Sequence, residues 1–221
     1  MSAAAAPSTS GLLAHLGPAD RQAIMGMGAS IEVDERRTLF HQGDDGESVY
    51  LLLSGLVKVV RGDAAGRSTI LTLRGAGDVV GDLAAIDGQP RSATVTTLTA
   101  TRCRVVPGAL FRAFSERPGV GSAITRYIAY RLRDADTQRA EMATLPVRQR
   151  LARALLRTHA GAGAAVALPQ QELANLIGAS RNSVVDALAV LRRRAIIATE
   201  RRGVVIRDLD ALHALANEDL R

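Results

Sequence analysis

From Ser30 to Val106 the chain is a series of short β-branched or alternating runs, and that rhythm leaves little choice of architecture. The runs are Ile31-Glu32-Val33, Val49 to Leu53, Leu56 to Val60, Thr69 to Leu73, Thr94 to Thr97 and Cys103 to Val106. Gly43-Asp44-Asp45-Gly46, Ser54-Gly55, Gly62-Asp63, Gly66 and Gly75-Ala76-Gly77-Asp78 separate them. Short strands with frequent turns predict an antiparallel sandwich or barrel; the glycine turns do not choose between these.

Residues 81 to 97 carry the most chemistry. Gly81 and Asp82 open a short apolar turn, Leu83 to Ile86; a loop with Gly88 and Pro90 then delivers Arg91 and Ser92 ahead of the Thr94 strand. A helix starting near Asp82 would aim free backbone N–H groups at an anion. Arg91 offers a planar fork for two phosphate oxygens, Ser92 a hydroxyl and an N–H, and Asp82 an acceptor for sugar hydroxyls. The alternative is a purely structural strand–helix–strand turn with Arg91 solvated.

Gly81-Asp82-Leu83-Ala84 followed by Pro90-Arg91-Ser92-Ala93-Thr94 resembles the phosphate-binding cassette of cyclic-nucleotide-binding domains. The resemblance implies a β-jelly roll holding the cassette inside, with Gly81, Asp82, Leu83, Ala84, Arg91, Ser92 and Ala93 against the ligand. It departs at Asp82, where the family usually has Glu; the side chain is one methylene shorter, so ribose contact needs a longer reach or a shifted loop.

The wider sequence excludes several other classes. Hydrophobic residues make up 47% of the 221, enough for a core, but aromatics only 3%, so that core is aliphatic. No apolar run reaches membrane-spanning length. Residues 1–10 lack a basic start and an apolar stretch, so a disordered tail is expected rather than a secretory signal. Cys103 is the single cysteine, which fits a reducing cytoplasm and rules out a disulfide or an iron–sulfur cluster within one chain. His15, His41, His159 and His213 are scattered, with no metal-ligand spacing, and are expected on the surface or in loops; no metal site is expected. No nucleophile–base pair or P-loop is evident, so no enzymatic activity is expected.

Short helices are expected over Pro18 to Met27, stopped by Gly28, and over Ala109 to Glu116. A long one follows from about Val120 to Leu145. Its stripe, Ile124, Ile128, Leu132, Ala135, Met142 and Leu145, is broken near Gln138 or Arg139 and suits a parallel homodimer. Its first turns could instead pack on the chain's own β domain. Arg131 could pair with Asp82. In cyclic-AMP-binding members of the family two adjacent residues here read the adenine; the resemblance places Ala135 and Asp136 at those positions, with Thr137 next. Ala135 cannot hydrogen-bond a base, and an ionised Asp136 can only accept. Asp136 could equally be an exposed partner for Arg133 or Arg139.

The +6 net charge is uneven: residues 1–144 hold 16 basic and 15 acidic side chains, and residues 145–221 hold 12 and 7. An anionic partner is therefore expected at the C-terminal end. Pro146 marks a hinge, a helix is expected from Val147 to His159 with Leu151, Leu155 and Leu156 inward, and Ala160 to Gly163 reads as a flexible loop. Pro169 to Ile177 and a helix capped by Ser180 flank Gly178, which makes a helix-turn-helix. Arg181, Asn182 and Ser183 lie in its exposed first turn; Val184, Leu188 and Leu191 face inward, and Arg192-Arg193-Arg194 suits phosphates at the helix end. Ile196 to Ile206 reads as a hairpin wing with Arg201 and Arg202 at its tip.

Gln171-Glu172-Leu173-Ala174, Ile177-Gly178-Ala179-Ser180-Arg181 and Ser183-Val184 resemble the winged helix-turn-helix of the CRP/FNR (cyclic-AMP receptor protein) family. The resemblance spans about residues 12–210 and implies an α+β chain: a jelly roll over 11–117, a dimerisation helix over 118–145 and a winged helix-turn-helix DNA-binding domain over 146–221. Gln170, Gln171, Ser180, Arg181, Asn182, Ser183, Asp186, Arg201 and Arg202 would meet DNA, with Arg181 on guanine. Asn182 and Asp186 stand where many members carry Glu and Arg, so the operator should differ. The implied protein is a dimeric cytoplasmic transcription regulator controlled by a small effector, cyclic AMP first, with double-stranded DNA and RNA polymerase as partners. The alternatives are a degenerate pocket or another nucleotide, and, in another class, a cyclic-nucleotide-responsive module acting on a protein partner.

Overall fold

The computed structural model describes residues 11–162, 165–166, 168–200 and 203–218. The expected tail over 1–10, Gly163 and the wing-tip residues Arg201 and Arg202 lie outside the described residues. The chain divides into two compact units, one running to Asp134 and one starting at Ala135.

The first unit opens with α1 (Leu12–His15) and α2 (Pro18–Gly26). The strands β1 (Ala29–Val33), β2 (Thr38–Phe40), β3 (Ser48–Ser54), β4 (Leu56–Gly62), β5 (Ser68–Gly75) and β6 (Val79–Val80) come next. Then follow α3 (Asp82–Asp87), β7 (Thr94–Thr97), β8 (Thr101–Pro107), α4 (Gly108–Ser115) and α5 (Val120–Thr144), the last of which continues into the second unit. Two antiparallel four-stranded sheets form, ordered β1-β8-β3-β6 and β2-β7-β4-β5. Leu52, Val57, Val80, Val95, Cys103 and Phe40 fill one core between them. Val49 and Leu51 face the other way, into a core with Leu12, Ile24, Phe111, Phe114 and Tyr127 from the helices. Strand β3 is thus covered on both faces, which is why its sequence is a continuous apolar run rather than an alternation. Burial pushes the Cys103 thiol up to about 11, so it stays protonated and inert.

The short elements β2 and β6 escape sequence reading because two or three residues cannot show a period. Two of the four histidines depart from expectation: His41 and His213 are exposed, but His15 and His159 are half-buried on helices, with His15 against the Tyr127 and Tyr130 rings. The first turns of α5 pack on their own β domain, since Ile124 and Tyr127 are buried and Ile128 is partly so. Leu132, in contrast, is 59% exposed.

In the second unit α6 (Val147–Ala162) runs past His159, so Ala160 to Ala162 are helical rather than loop. Alanine is the strongest helix former, and a terminal glycine costs little there. The further elements are β9 (Ala165–Val166), α7 (Gln170–Ile177), α8 (Arg181–Arg193), β10 (Ile197–Glu200), β11 (Gly203–Ile206) and α9 (Leu209–Ala216), with a sheet ordered β10-β11-β9. Leu151 and Leu155 are buried as expected; Leu156 is only half-buried. Arginines on α6 satisfy the carbonyls that helix ends leave open. Arg150 Nη1 donates to Ile177 O at 2.8 Å and Arg153 Nε to Ala216 O at 2.8 Å.

The corner at Pro146, expected as a hinge, is clamped from inside the unit. Glu141 is 5% exposed and accepts from Arg153 at 3.2 Å and from Arg157 at 2.9 and 3.0 Å. Glu141→Ala should lower stability by about 1.5–3 kcal/mol, the net worth of hydrogen bonds to a charged group. Thermal denaturation checks this, and an unchanged midpoint would contradict the clamp.

Candidate functional site

The first unit holds a narrow opening, about 370 Å³ of space with its solvent-facing mouth included. Gly81, Asp82, Leu83, Ala84, Arg91, Ser92, Ala93 and Arg131 line it, with Phe40, Val59, Val80 and Val95 as apolar wall. All the cassette residues singled out in the sequence therefore come together. Asp136 and Thr137 belong to the second unit. Asp136 is exposed and accepts from Arg139 Nη1 at 2.8 Å, the alternative that the sequence left open.

Local backbone explains the cluster. Gly81 ends β6 in the left-handed region (φ 82°) and so turns the chain abruptly into α3. Its own carbonyl accepts from Arg91 Nη1 at 2.8 Å, and Ser48 O accepts from Nη2 at 2.5 Å. The Arg91 guanidinium also lies 4.3 Å from the centre of the Phe40 ring. Arg91 is 4% exposed, and its Nε is buried with no hydrogen-bond partner among the described residues. Burial lowers its pKa, while Tyr50, Asp44 and Asp82 oppose that shift. A cation so desolvated, with an unused donor, favours an anion in the opening.

Asp82 is buried, and its Oδ2 accepts from Arg131 Nη1 at 2.7 Å, the pairing expected from the sequence. Burial works against the Arg131 charge, but Asp82, Tyr127 and Asp78 outweigh it and raise its pKa. Sequence reasoning missed Tyr127 and Asp78. Both are buried, and the Tyr127 hydroxyl donates to Asp78 Oδ1 at 3.0 Å. A tyrosine amid an aliphatic stripe reads as core; only an acid placed before β6 hinted at a partner.

The second candidate surface is the helix-turn-helix of α7 and α8. Gly178 closes α7 in the left-handed region (φ 60°). Ser180 Oγ accepts from Ser183 N at 3.1 Å and shares a 2.8 Å hydrogen bond with Ser183 Oγ. Such a cap is worth ~1 kcal/mol. Val184, Ala187, Leu188 and Leu191 are buried, and Gln170, Gln171, Ser180, Arg181, Asn182 and Asp186 are exposed, with Ser183 half-buried. Val185 is 39% exposed beside Arg181 and Asp186, a residue the sequence reading passed over although helical spacing from Arg181 points to it. Gln171 Nε2 donates to Asn175 Oδ1 at 3.0 Å. The β10–β11 hairpin forms the wing, with Glu200 opposite Gly203.

Among the described residues no group of three or more His, Cys, Asp or Glu could hold a metal ion. No helix among them is long and apolar enough to cross a membrane.

A β domain carrying such a cassette, followed by a helix-turn-helix, is the layout of a DNA-binding regulator with a small-ligand domain. Residues 30–117 match the cyclic nucleotide-binding domain family and residues 149–215 the Crp-like helix-turn-helix domain family. The chain is 32% identical over 191 residues to the CRP-like cAMP-activated global transcriptional regulator of Mycobacterium tuberculosis, covering 82% of this chain and 85% of that one. It is 30% identical over 182 residues to the cyclic AMP receptor protein of Thermus thermophilus, covering 81% and 84%. A crystal structure of a CRP-family transcriptional regulator, also from Thermus thermophilus, superposes with a TM-score of 0.72 at 27% identity, covering 86% and 98%. The chain belongs to the CRP/FNR family of transcription regulators, with a cyclic nucleotide-binding domain and a DNA-binding helix-turn-helix.

Gly81→Ala tests the packing at the cassette. A Cβ there would lie 2.4 Å from Arg91 Nη1 and 3.0 Å from Ser48 O. The clash and the left-handed backbone together should cost about 1–3 kcal/mol. A wild-type denaturation midpoint would contradict the close approach.

Proposed function

We propose that the chain is a dimeric transcription regulator, switched by a cyclic nucleotide in the jelly roll and acting by binding rather than catalysis. Cyclic AMP is the first choice of effector. The observation that carries this is Arg91: a buried guanidinium lining the opening, with no partner for its Nε among the described residues. A cyclic phosphate would take that donor together with the Ser92 hydroxyl. Asp82 would hold the ribose hydroxyl, while Arg131 shares its carboxylate. Gly81, Leu83, Ala84 and Ala93 would form the close-fitting wall. The names of the Mycobacterium and Thermus relatives favour cyclic AMP. A second effector, another nucleotide, is favoured by Ala135 and Asp136, neither of which supplies the paired donor and acceptor that adenine needs.

In this reading residues 11–117 sense, 118–145 dimerise and 146–221 bind DNA. The exposed Leu132 on α5 fits a second copy of the chain. Ligand binding would reorient the paired helices and set the spacing of two recognition helices against half-sites one DNA turn apart. Arg181 would read guanine, Asn182 adenine and Val185 a thymine methyl, with Asp186 accepting from cytosine or orienting Arg181. Gln170, Gln171, Ser180 and Ser183 would meet the backbone, together with Arg201 and Arg202 of the wing tip. Bound to DNA in the cytoplasm, the dimer would engage RNA polymerase.

Two substitutions test this. Arg91→Ala should abolish cyclic nucleotide binding and leave the dimer intact; calorimetry against cyclic mono- and dinucleotides decides it, and unchanged affinity would refute the site. Arg181→Ala should cost about 1–3 kcal/mol on the preferred operator and relax selection at one base. Equal losses on every DNA sequence would show that Arg181 does not read a base.

A further inference from the structure

Strand β6 and Gly81 are held between two side chains of α5 one helical turn apart. Ahead of β6, Asp78 closes the turn after β5: its N–H donates to Gly75 O at 3.0 Å and its Oδ2 accepts from Gly75 N at 3.1 Å. Its other oxygen accepts the Tyr127 hydroxyl at 3.0 Å. Behind β6, Asp82 accepts from Arg131, whose guanidinium lies 5.3 Å from the Tyr127 ring centre. The Tyr127 ring therefore serves both contacts, its hydroxyl on one acid and its face beneath the cation that holds the other.

Closing the turn after β5 uses only one carboxylate oxygen of Asp78, which leaves the other for Tyr127. Tyr127 is 1% exposed and sits in an apolar cluster where phenylalanine would pack as well. Asp78 is 6% exposed, and burial raises its pKa, against the opposing charges of Arg74 and Arg131 and the hydrogen bonds from Gly75 and Tyr127. A buried acid is costly unless it is hydrogen-bonded, and the Tyr127 hydroxyl supplies the bond that the Gly75 turn leaves open.

We infer that Tyr127 and Asp78 are a buried positioning pair: they fix the register of α5 on the turn before β6, and so deliver Arg131 to Asp82 and let α5 feel what occupies the cassette. The part of this that concerns occupancy rests on the proposed nucleotide site; the part that concerns register does not. Neither residue would touch the ligand. Tyr127 acts through Arg131, and Asp78 through Tyr127.

The test uses the full chain with Tyr127→Phe, which keeps the ring, and Asp78→Asn. In hydrogen–deuterium exchange without ligand, Tyr127→Phe should speed exchange in α3 (Asp82–Asp87) as well as in the first turns of α5. A change confined to α5 would overturn the pair. In calorimetry, Tyr127→Phe should weaken cyclic AMP by up to about tenfold, the worth of one hydrogen bond. The double variant should lose no more than Asp78→Asn alone. Wild-type affinity in Tyr127→Phe, or additive losses in the double variant, would overturn the link to the ligand. If the unsubstituted chain ignores cyclic AMP, the nucleotide proposal fails, while the exchange experiment still decides the register.

Discussion

Two guanidinium groups beside one short helix, Arg91 buried and Arg131 partly so, set the terms for the rest of the first unit. A buried cation is tolerated only with acceptors around it. Arg91 finds the carbonyls of Gly81 and Ser48, and Arg131 finds Asp82. Each partner constrains the backbone that carries it. Gly81 must be free of a Cβ to meet Arg91, so the chain can turn there in the left-handed region. Asp82 must face Arg131, so the first turns of α5 must lie on the β domain, which the buried Ile124 and Tyr127 secure. The opening beside these groups is thus cationic on one side and apolar on the other. That is the environment an anionic nucleotide needs.

The second unit solves a different problem with the same residue type. It has no Phe, Tyr or Trp to build on, and α6 uses arginines to close the open ends of α7 and α9 and to grip Glu141. The result is a rigid frame for α8, whose Ser180 cap exposes Arg181 and Asn182 while Val184 and Leu188 stay inside. Rigid support beneath an exposed first turn lets few side chains discriminate among bases.

Much of this was legible in the sequence, for identifiable reasons. The glycine punctuation between Ser30 and Val106 marks the strand ends, and the spacing of Val184, Leu188 and Leu191 marks the inner face of α8. The cassette was legible because several residue types must coincide in order. What stayed hidden depends on partners distant in sequence. Tyr127 and Asp78 are 49 residues apart, and nothing local foretells their hydrogen bond. Nothing around Glu141 in the sequence points to its role, because its partners Arg153 and Arg157 come from α6. The helix beyond His159 was misread because alanine and glycine alternate there and the glycines suggested a loop.

The central claim is that occupancy of the cassette governs DNA binding. Fluorescence anisotropy of the purified chain on a duplex with two half-sites one helical turn apart, with and without saturating cyclic nucleotide, tests it most directly. The account predicts that DNA affinity rises at least about tenfold with one of the nucleotides, within the usual range of allosteric coupling. The same affinity with and without every nucleotide tried would contradict it.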